Sequence, residues 1–294
     1  MKVIKKNLPL IFGCALLFSC NNSESKKSEI DEKIVDSTET LNADFEGENF
    51  SIPSPIQMSL LLKETSALYS KDLLNKFENN SKYTNEYKQA LNLGVYGADL
   101  GYASINDQNN DALHCLSAIE TLTNKLDLDL IFDKSFLTRF DKNKKNQDSV
   151  LMLVAEVFRN GDDYLKKINR KHTSSLILTG GWIESMYYAC ELNNIAKNQN
   201  IIELICQQQD ALNSIIGILN LHNKNGQNDK LIADFKDLKT DFDKISLDYD
   251  FKEAKTDEEN KITSPQHSST YKVSDNVIKE ISKKILLIRA GIIS

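Results

Sequence analysis

Apolar residues recur at helical spacing along most of the chain. From Ile56 onward they lie three or four positions apart, which is the periodicity of one buried helix face. Six further stripes of this kind cover residues 87–105, 112–126, 150–158, 176–192, 201–221 and 231–245. We find no segment in which apolar and polar residues alternate between turn dipeptides, and prolines and glycines are few. The pattern predicts an all-α protein built as a helical bundle.

The start of the helical domain has a clear local signal. Ser54 is followed by Pro55 and, three positions after the serine, by Gln57. A serine with glutamine three residues later forms a capping box, and proline is favoured at the first helical position. The first helix is therefore expected to begin at Pro55, within a helical domain that spans residues 51–247.

The end of the chain carries a polar stretch and then an amphipathic stripe. Residues 248–273 are rich in charged and small polar residues and predict a mobile loop. Residues 274–294 predict a helix that docks on the domain. Its apolar face would contain Val277, Ile281, Ile285 and Ile288. A free, membrane-seeking helix is the alternative, supported by its cations Lys279, Lys283, Lys284 and Arg289.

Two glycine-containing segments can be superimposed. When residues 94–103 are laid on residues 180–189, Gly94 meets Gly180, Tyr102 meets Tyr188 and Ala103 meets Ala189. This register predicts one helix-hairpin module used twice, over about residues 54–126 and 147–222. The two copies would share one core. A chance likeness of two glycine-containing helices is the alternative.

The N-terminus has the zones of a secretory signal. Three lysines at positions 2, 5 and 6 precede an apolar run over residues 8–18, which is too short to span a bilayer. The tetrapeptide that ends at Cys20 resembles the lipobox of bacterial lipoproteins, which implies cleavage after Ser19 and acylation of the Cys20 thiol. We therefore expect a signal peptide over residues 1–19 and a mature protein that is tethered to a membrane through the lipid on Cys20. An ordinary signal peptide cut elsewhere is the alternative.

Composition after Cys20 predicts a disordered, flexible tether over residues 20–50, because the stretch has too few apolar residues to offset its ordering entropy. The net charge is −6, and loss of the three signal lysines makes it −9, from 33 basic and 42 acidic residues. That balance argues against a nucleic-acid partner. Asn21 is not the aspartate that retains enterobacterial lipoproteins in the inner membrane. The outer membrane is therefore the expected location, on its periplasmic or its surface face.

Cysteines outside the signal and lipidation positions are three in number. Cys115, Cys190 and Cys206 lie in apolar helical contexts, and we expect three buried thiols. A disulfide between Cys190 and Cys206 is the alternative.

Two further resemblances bear on the cellular location and the source of the protein, and not on its chemistry. Residues 52–55, the Tyr-Gly-Ala-Asp-Leu-Gly-Tyr core at residues 96–102 and residues 180–184 resemble a family of uncharacterised Bacteroidota lipoproteins. The resemblance covers most of the mature domain and implies no activity. The triplets containing Ser37 and Ser149 resemble the short O-glycosylation sequon of the same phylum.

Known catalytic and cofactor motifs are not found. The four histidines, His114, His172, His222 and His267, are scattered, so we expect no metal site; Asp111 and His114 share a helix face but make only half of one. Gly94, Gly97 and Gly101 have helical spacing and follow no strand, so they cannot cradle a phosphate. No cofactor is expected.

One constellation of residues is a candidate site. Asp99 and Glu184 lie in the most apolar helices of the two copies, and buried carboxylates are costly unless paired or hydrogen-bonded. The aromatic residues around them are Tyr96, Tyr102, Trp182, Tyr187 and Tyr188. A pair facing one cavity would have perturbed pKa values suited to acid catalysis or ligand binding, whereas acids bonded at helix edges would be structural.

The constellation leaves two classes of function open. The favoured one is a non-catalytic envelope module that binds a protein or small ligand through an aromatic groove between the hairpins. The alternative is an envelope enzyme that uses Asp99 and Glu184 on cell-wall or carbohydrate material.

Overall fold

The computed structural model describes residues 41–45, 48–65, 67–128, 134–144, 146–257, 261–264 and 268–294. Ten α-helices make up most of these residues, which confirms the all-α prediction. The predicted signal peptide, Cys20 and Ser37 lie outside the described residues, as does most of the predicted tether.

Most of the helices coincide with the predicted stripes. They are α1 (Pro55–Glu64), α2 (Glu86–Ile105), α3 (Asn109–Lys125), α4 (Lys134–Asn143), α5 (Gln147–Lys167), α6 (Lys171–Ala196), α7 (Gln199–Cys206), α8 (Gln209–Leu221), α9 (Asp229–Phe242) and α10 (Asp275–Ile293). The stripe over residues 201–221 is two helices instead of one. Helix α4 was not predicted, because ten residues with three apolar side chains are too short for a periodicity argument.

The first helix begins at Pro55, as predicted. The Ser54 hydroxyl accepts a hydrogen bond from the Gln57 backbone N–H at 3.1 Å, which is the N-cap contact that the capping box requires. Between α1 and α2 the chain makes two short 3₁₀ helices, Lys71–Leu73 and Phe77–Lys82. Residues 71–82 are called the turn segment below.

Helices α2 and α6 cross in the centre of the molecule, at glycines. A Cβ atom added to Gly94 would lie 1.9 Å from the Ile177 carbonyl oxygen, and one added to Gly180 would lie 1.9 Å from the Leu91 carbonyl oxygen. These positions must be glycine because backbone meets backbone there.

The contacts between the two helices are reciprocal. A shift of 86 residues carries Gly94 onto Gly180 and Leu91 onto Ile177, so each of the two close contacts is converted into the other. The same shift carries Tyr102 onto Tyr188, and these rings stack with centroids 4.3 Å apart. The helices therefore run parallel, in the register predicted for a duplication. Their partners differ, because α2 is followed by the single helix α3 whereas α6 is followed by α7 and α8.

The apolar side chains form two cores on opposite faces of this helix pair. The larger core joins α6 to α8, α9 and α10, and the smaller one joins α2 to α3, α4 and α5. Because α2 contributes to both, the two cores share one wall.

Helix α10 docks on the larger core, which confirms the docking prediction. Ile281 and Ile285 are fully buried, Ile278 and Ile288 nearly so, and Val277 is partly buried. The alternative of a free membrane helix is wrong. Within the described part of the chain, no helix has the length and hydropathy needed to cross a membrane.

The described residues of the polar segment 248–273, which was predicted as a mobile loop, contain strands that the sequence analysis did not predict. The strands of this ribbon are β3 (Ser246–Asp250), β4 (Lys255–Asp257), β5 (Ile262–Ser264) and β6 (Ser268–Lys272). β3 pairs antiparallel with β6, and β4 pairs with β5. The alternation of Leu247 and Tyr249 with Asp248 and Asp250 is the strand pattern that the helix-based interpretation overlooked.

A second hairpin precedes α1. Strands β1 (Leu41–Phe45) and β2 (Glu48–Ile52) pair antiparallel, at the end of the range predicted as tether. Ile52 is fully buried, and β2 packs against α8.

All three cysteines of the domain are buried free thiols. Cys190 and Cys206 form no disulfide with each other, so that alternative is wrong, and Cys115 is equally buried and free.

The glycine crossing predicts a large difference between two substitutions by alanine. Gly94→Ala should lower the free energy of unfolding by about 3 kcal/mol or more, because the new methyl group meets a carbonyl oxygen that cannot move without shifting α6. Gly291→Ala, a helical position with open space around its Cβ, should raise it by about 0.5–1 kcal/mol. Urea denaturation measures both. Similar stability of the two variants would contradict the close crossing.

Candidate functional site

Asp99 and Glu184 meet in the interior of the molecule. The parallel crossing of α2 and α6 places Asp99 and Glu184 side by side, both with 0 % exposure. They lie close enough that the charge of Glu184 raises the pKa of Asp99. The structure thus brings together the two acids singled out from the sequence.

Arg289, on α10, is the cation of this site. Its Nε and Nη2 donate to the two oxygens of Glu184, each at 2.7 Å, and Nη2 also donates to the Leu73 carbonyl oxygen at 3.0 Å. The guanidinium carbon lies 3.9 Å from the centre of the Tyr187 ring, a cation–π contact. The Glu184 carboxylate is therefore matched by a bidentate, buried arginine.

Sequence reasoning treated Arg289 as a surface cation of an amphipathic helix. Arg289 nevertheless follows Ile285 by four residues and precedes Ile292 by three, so it lies on the buried face of α10. This spacing was the signal that could have identified it. Another of the same cations, Lys284, forms ion pairs with Asp237 and Asp241 of α9.

Asp99 is satisfied by neutral donors. The Tyr188 hydroxyl donates to its Oδ1, and the Asn75 backbone N–H donates to its Oδ2 at 3.1 Å. Burial, followed by the negative charge of Glu184, raises the pKa of Asp99 well above its usual range. Burial raises the pKa of Glu184 as well, and Arg289 opposes that rise.

The arrangement therefore keeps a proton on Asp99. Glu184 remains a carboxylate because both of its oxygens accept from Arg289. A protonated Asp99, an ionised Glu184 and a cationic Arg289 carry no net charge, and this is the state in which burial of three ionisable groups costs least.

The aromatic candidates do not line an open groove. Tyr96, Tyr102, Trp182 and Tyr188 are at most 2 % exposed, and only Tyr187 is partly buried. The groove expected between the hairpins is therefore filled by its own side chains. Close packing of the parallel helices at their glycines leaves no room for it.

Three of the five aromatic candidates surround the acids. The Tyr188 ring lies between those of Tyr102, at 4.3 Å, and Tyr187, at 5.9 Å, and Tyr69 stacks on Tyr102 at 5.0 Å. The other two have partners elsewhere. The Tyr96 hydroxyl donates to the Lys76 carbonyl oxygen at 2.7 Å.

Trp182 belongs to the larger core. Its indole N–H donates to Gln208 Oε1 at 3.3 Å, and its ring packs on Phe235 with centroids 5.8 Å apart. The contact with Gln208 lies at the break between α7 and α8.

A surface cleft of about 450 Å³ adjoins the buried acids. One wall is the turn segment and the other is α3. Its lining residues are Lys71, Asp72, Leu74, Asn75, Lys76, Phe77, Glu78, Tyr96, Asp111, His114 and Cys115. Sequence reasoning placed Asp111 and His114 on one helix face, and both line this cleft. The turn segment was not predicted as part of a site, because its apolar residues follow no periodic pattern.

Hydrogen bonds hold the walls of the cleft in place. Asp111 forms an ion pair with Lys71 at 2.6 Å and accepts from the Tyr69 hydroxyl at 2.8 Å. The Asn75 side chain donates to the Tyr83 hydroxyl at 3.0 Å while its backbone N–H binds Asp99. Asn75 therefore connects the cleft directly to the buried acids.

The cleft does not open onto the buried acids. Asn75 stands between them, and burial raises the pKa of the Cys115 thiol on the cleft side. Within the described residues, no group of three or more His, Cys, Asp or Glu side chains could hold a metal ion. Ser149, the second glycosylation candidate, is half-buried in the first turn of α5.

Comparisons with known proteins gave no match. No family model fits the chain, and no curated protein or solved structure is significantly similar to it. The resemblance to Bacteroidota lipoproteins stays a prediction, and function is inferred from the geometry above.

Neutralising the two acids one at a time should have opposite effects. In the folded protein the raised pKa of Asp99 keeps a proton that the unfolded chain releases above about pH 4. Wild-type stability therefore falls as the pH rises from that value towards the folded pKa. Asp99→Asn removes this dependence, so its stability relative to wild type should increase from pH 4 to pH 8 in thermal denaturation.

Glu184→Gln should lower the free energy of unfolding by about 3–5 kcal/mol, because it leaves Arg289 buried without a counter-charge. The matched control is Glu156→Gln, which breaks an exposed bidentate pair with Arg139 and should cost at most about 1 kcal/mol. Equal losses for the two glutamates would refute the structural assignment of the pair.

Proposed function

We propose that this protein is a lipid-anchored module of the bacterial cell envelope that binds a small polar ligand in the cleft without catalysing a reaction. The cleft over the turn segment is the observation that carries the proposal. Its volume, about 450 Å³, falls in the range typical of small-molecule sites.

The lining of the cleft suits an uncharged, polyhydroxylated ligand such as an oligosaccharide. Two basic and three acidic side chains line it, so neither sign of charge dominates, and Lys71 and Asp111 are already paired with each other. Phe77 is 43 % exposed and offers an apolar ring surface beside these polar groups. A sugar presents hydroxyl groups and apolar ring faces in the same way.

The buried acids favour a non-catalytic role. A general acid must reach the proton acceptor of its substrate, whereas every oxygen of Asp99 and Glu184 already has a protein partner in the interior. The raised pKa of Asp99 follows from burial and the neighbouring charge, which structural pairs share with active sites. The alternative of a carboxylate-pair enzyme would require the turn segment to move.

The proposed cellular location rests on the N-terminal sequence. The signal, the lipobox-like tetrapeptide ending at Cys20 and Asn21 support anchoring by lipid in the outer membrane. Acyl chains contribute about 0.8 kcal/mol per buried methylene, so multiple acylation anchors an acidic protein without a basic patch. A Bacteroidota source, proposed from the resemblance of residues 52–55, 96–102 and 180–184, agrees with this location.

Substitution of Cys20 should abolish the anchor. In Cys20→Ala we expect no fatty-acid mass on the N-terminal peptide and no recovery with membranes. Cys14→Ala, within the predicted signal peptide, should leave acylation unchanged. Mass spectrometry of the mature N-terminus makes both measurements, and acylation that persists in Cys20→Ala would exclude this anchor.

Ligand binding in the cleft should depend on Phe77. Calorimetric titration with soluble envelope oligosaccharides should give binding that Phe77→Ala weakens by up to about tenfold, the usual worth of one aromatic contact. Leu287→Ala, which removes an exposed apolar side chain on α10, should leave it unchanged. Equal weakening by both variants, or no binding of any oligosaccharide, would reject this ligand class.

A further inference from the structure

The ribbon has one apolar face, at its base. Leu247, Tyr249 and Phe251 alternate with Asp248 and Asp250 along β3 and the residue that follows it, so the three apolar side chains share one face. They are 54 %, 53 % and 70 % exposed, respectively. Adjacent large apolar side chains with this exposure mark an interaction surface more often than a bare solvent face.

The opposite face of the ribbon is ionic. Asp248 pairs with Lys272 at 2.6 Å, and Asp250 pairs with Lys252 at 3.0 Å. The ribbon is therefore amphipathic in cross-section, with ions on one side and Leu247, Tyr249 and Phe251 on the other.

The ribbon base and the hairpin that receives the N-terminal chain pack against the same core. Across the ladder, Leu247 pairs with Tyr271, which packs against the larger core and is close to Cys206 and Asp210 at the junction of α7 and α8. Ile52 of β2 belongs to the larger core as well, and β2 packs on α8. The ribbon base and the hairpin that receives the N-terminal chain thus share the larger core as their support.

The distance to the lipid is limited by the chain. Twenty residues separate Cys20 from Leu41, the first residue of β1. They span at most about 70 Å when fully extended and about 25 Å as a flexible coil. An anchored domain therefore stays within that distance of the headgroups, and the hairpin of β1 and β2 is where the N-terminal chain enters the described part of the domain.

We propose that Leu247, Tyr249 and Phe251 dock the domain onto the membrane that holds its lipid, with these side chains entering the headgroup region. The inference rests on the Cys20 anchor of the proposed function. Aliphatic and aromatic side chains are the ones that partition into the membrane interface.

The charge of the ribbon is compatible with docking on a membrane. Its described residues contain four acidic side chains and four lysines, in a mature chain whose predicted net charge is −9. An anionic bilayer would repel the protein as a whole, and this surface is electrically neutral. Docking orients the domain, whereas the acyl chains retain it.

Depth-dependent fluorescence quenching tests the proposal. The acylated protein is reconstituted into phosphatidylcholine vesicles that contain a brominated lipid, which quenches tryptophan only at contact range. Trp182, the single native tryptophan, is buried and supplies a constant background. One variant carries Phe251→Trp, and the matched control carries Ile195→Trp at an exposed apolar position of α6.

The expected result is a loss of emission from the tryptophan at position 251, with a blue shift, and no loss from the one at position 195. Leu247→Ser combined with Tyr249→Ser in the Phe251→Trp chain should reverse the quenching. Equal quenching at both positions, or none at 251, would overturn the proposal. A blue shift at 251 that rises with protein concentration in the absence of vesicles would overturn it too, because it would indicate a second copy as the occupant.

Failure of the anchor is recognised separately. The mass of the N-terminal peptide reports acylation before reconstitution. If the chain proves not to be acylated, it is added directly to the same vesicles, and the comparison of positions 251 and 195 is judged by the same criteria.

Discussion

The buried ion pair between Glu184 and Arg289 is the interaction on which the rest of the structure depends. It joins the middle of α6 to the last turns of α10, 105 residues apart in sequence, and a further bond from Arg289 to the Leu73 carbonyl reaches the turn segment. Desolvation of two charges is repaid only when the geometry is bidentate and the neighbours are satisfied. Asp99 meets that condition by keeping its proton, since a second carboxylate would unbalance the pair.

The close crossing of α2 and α6 at their glycines brings the two buried acids together. Gly94 and Gly180 allow the backbones of α2 and α6 to touch, and this close approach places Asp99 beside Glu184. The same proximity closes the space in which an aromatic groove was expected. The cleft proposed to bind ligand lies outside the acid cluster, and Asp99 holds its wall residue Asn75 in place. We regard the acid cluster as the rigid floor of that cleft.

Local signals in the sequence predicted the helical elements well. The Ser54 cap, the periodic stripes and the apolar face of α10 depend on neighbours a few residues away, and the structure has each of them. Asp99 and Glu184 were named as a candidate pair, but whether they face each other was left open. Non-local facts could not be obtained in this way. The choice of Arg289 as partner and the seating of Asn75 on Asp99 depend on how distant segments pack, and the ribbon was missed because its alternation is only a few residues long.

Direct observation of the Asp99 proton tests the central claim, that the acid cluster is a structural lock in which Asp99 keeps its proton. Carboxyl carbons can be followed by NMR in protein labelled at aspartate and glutamate, over a titration from acidic to mildly basic pH. The account predicts that the Asp99 carboxyl carbon keeps the chemical shift of a protonated acid through neutral pH, while Glu184 keeps that of a carboxylate. Ionisation of Asp99 near its ordinary pKa, or a protonated Glu184 at neutral pH, would contradict it.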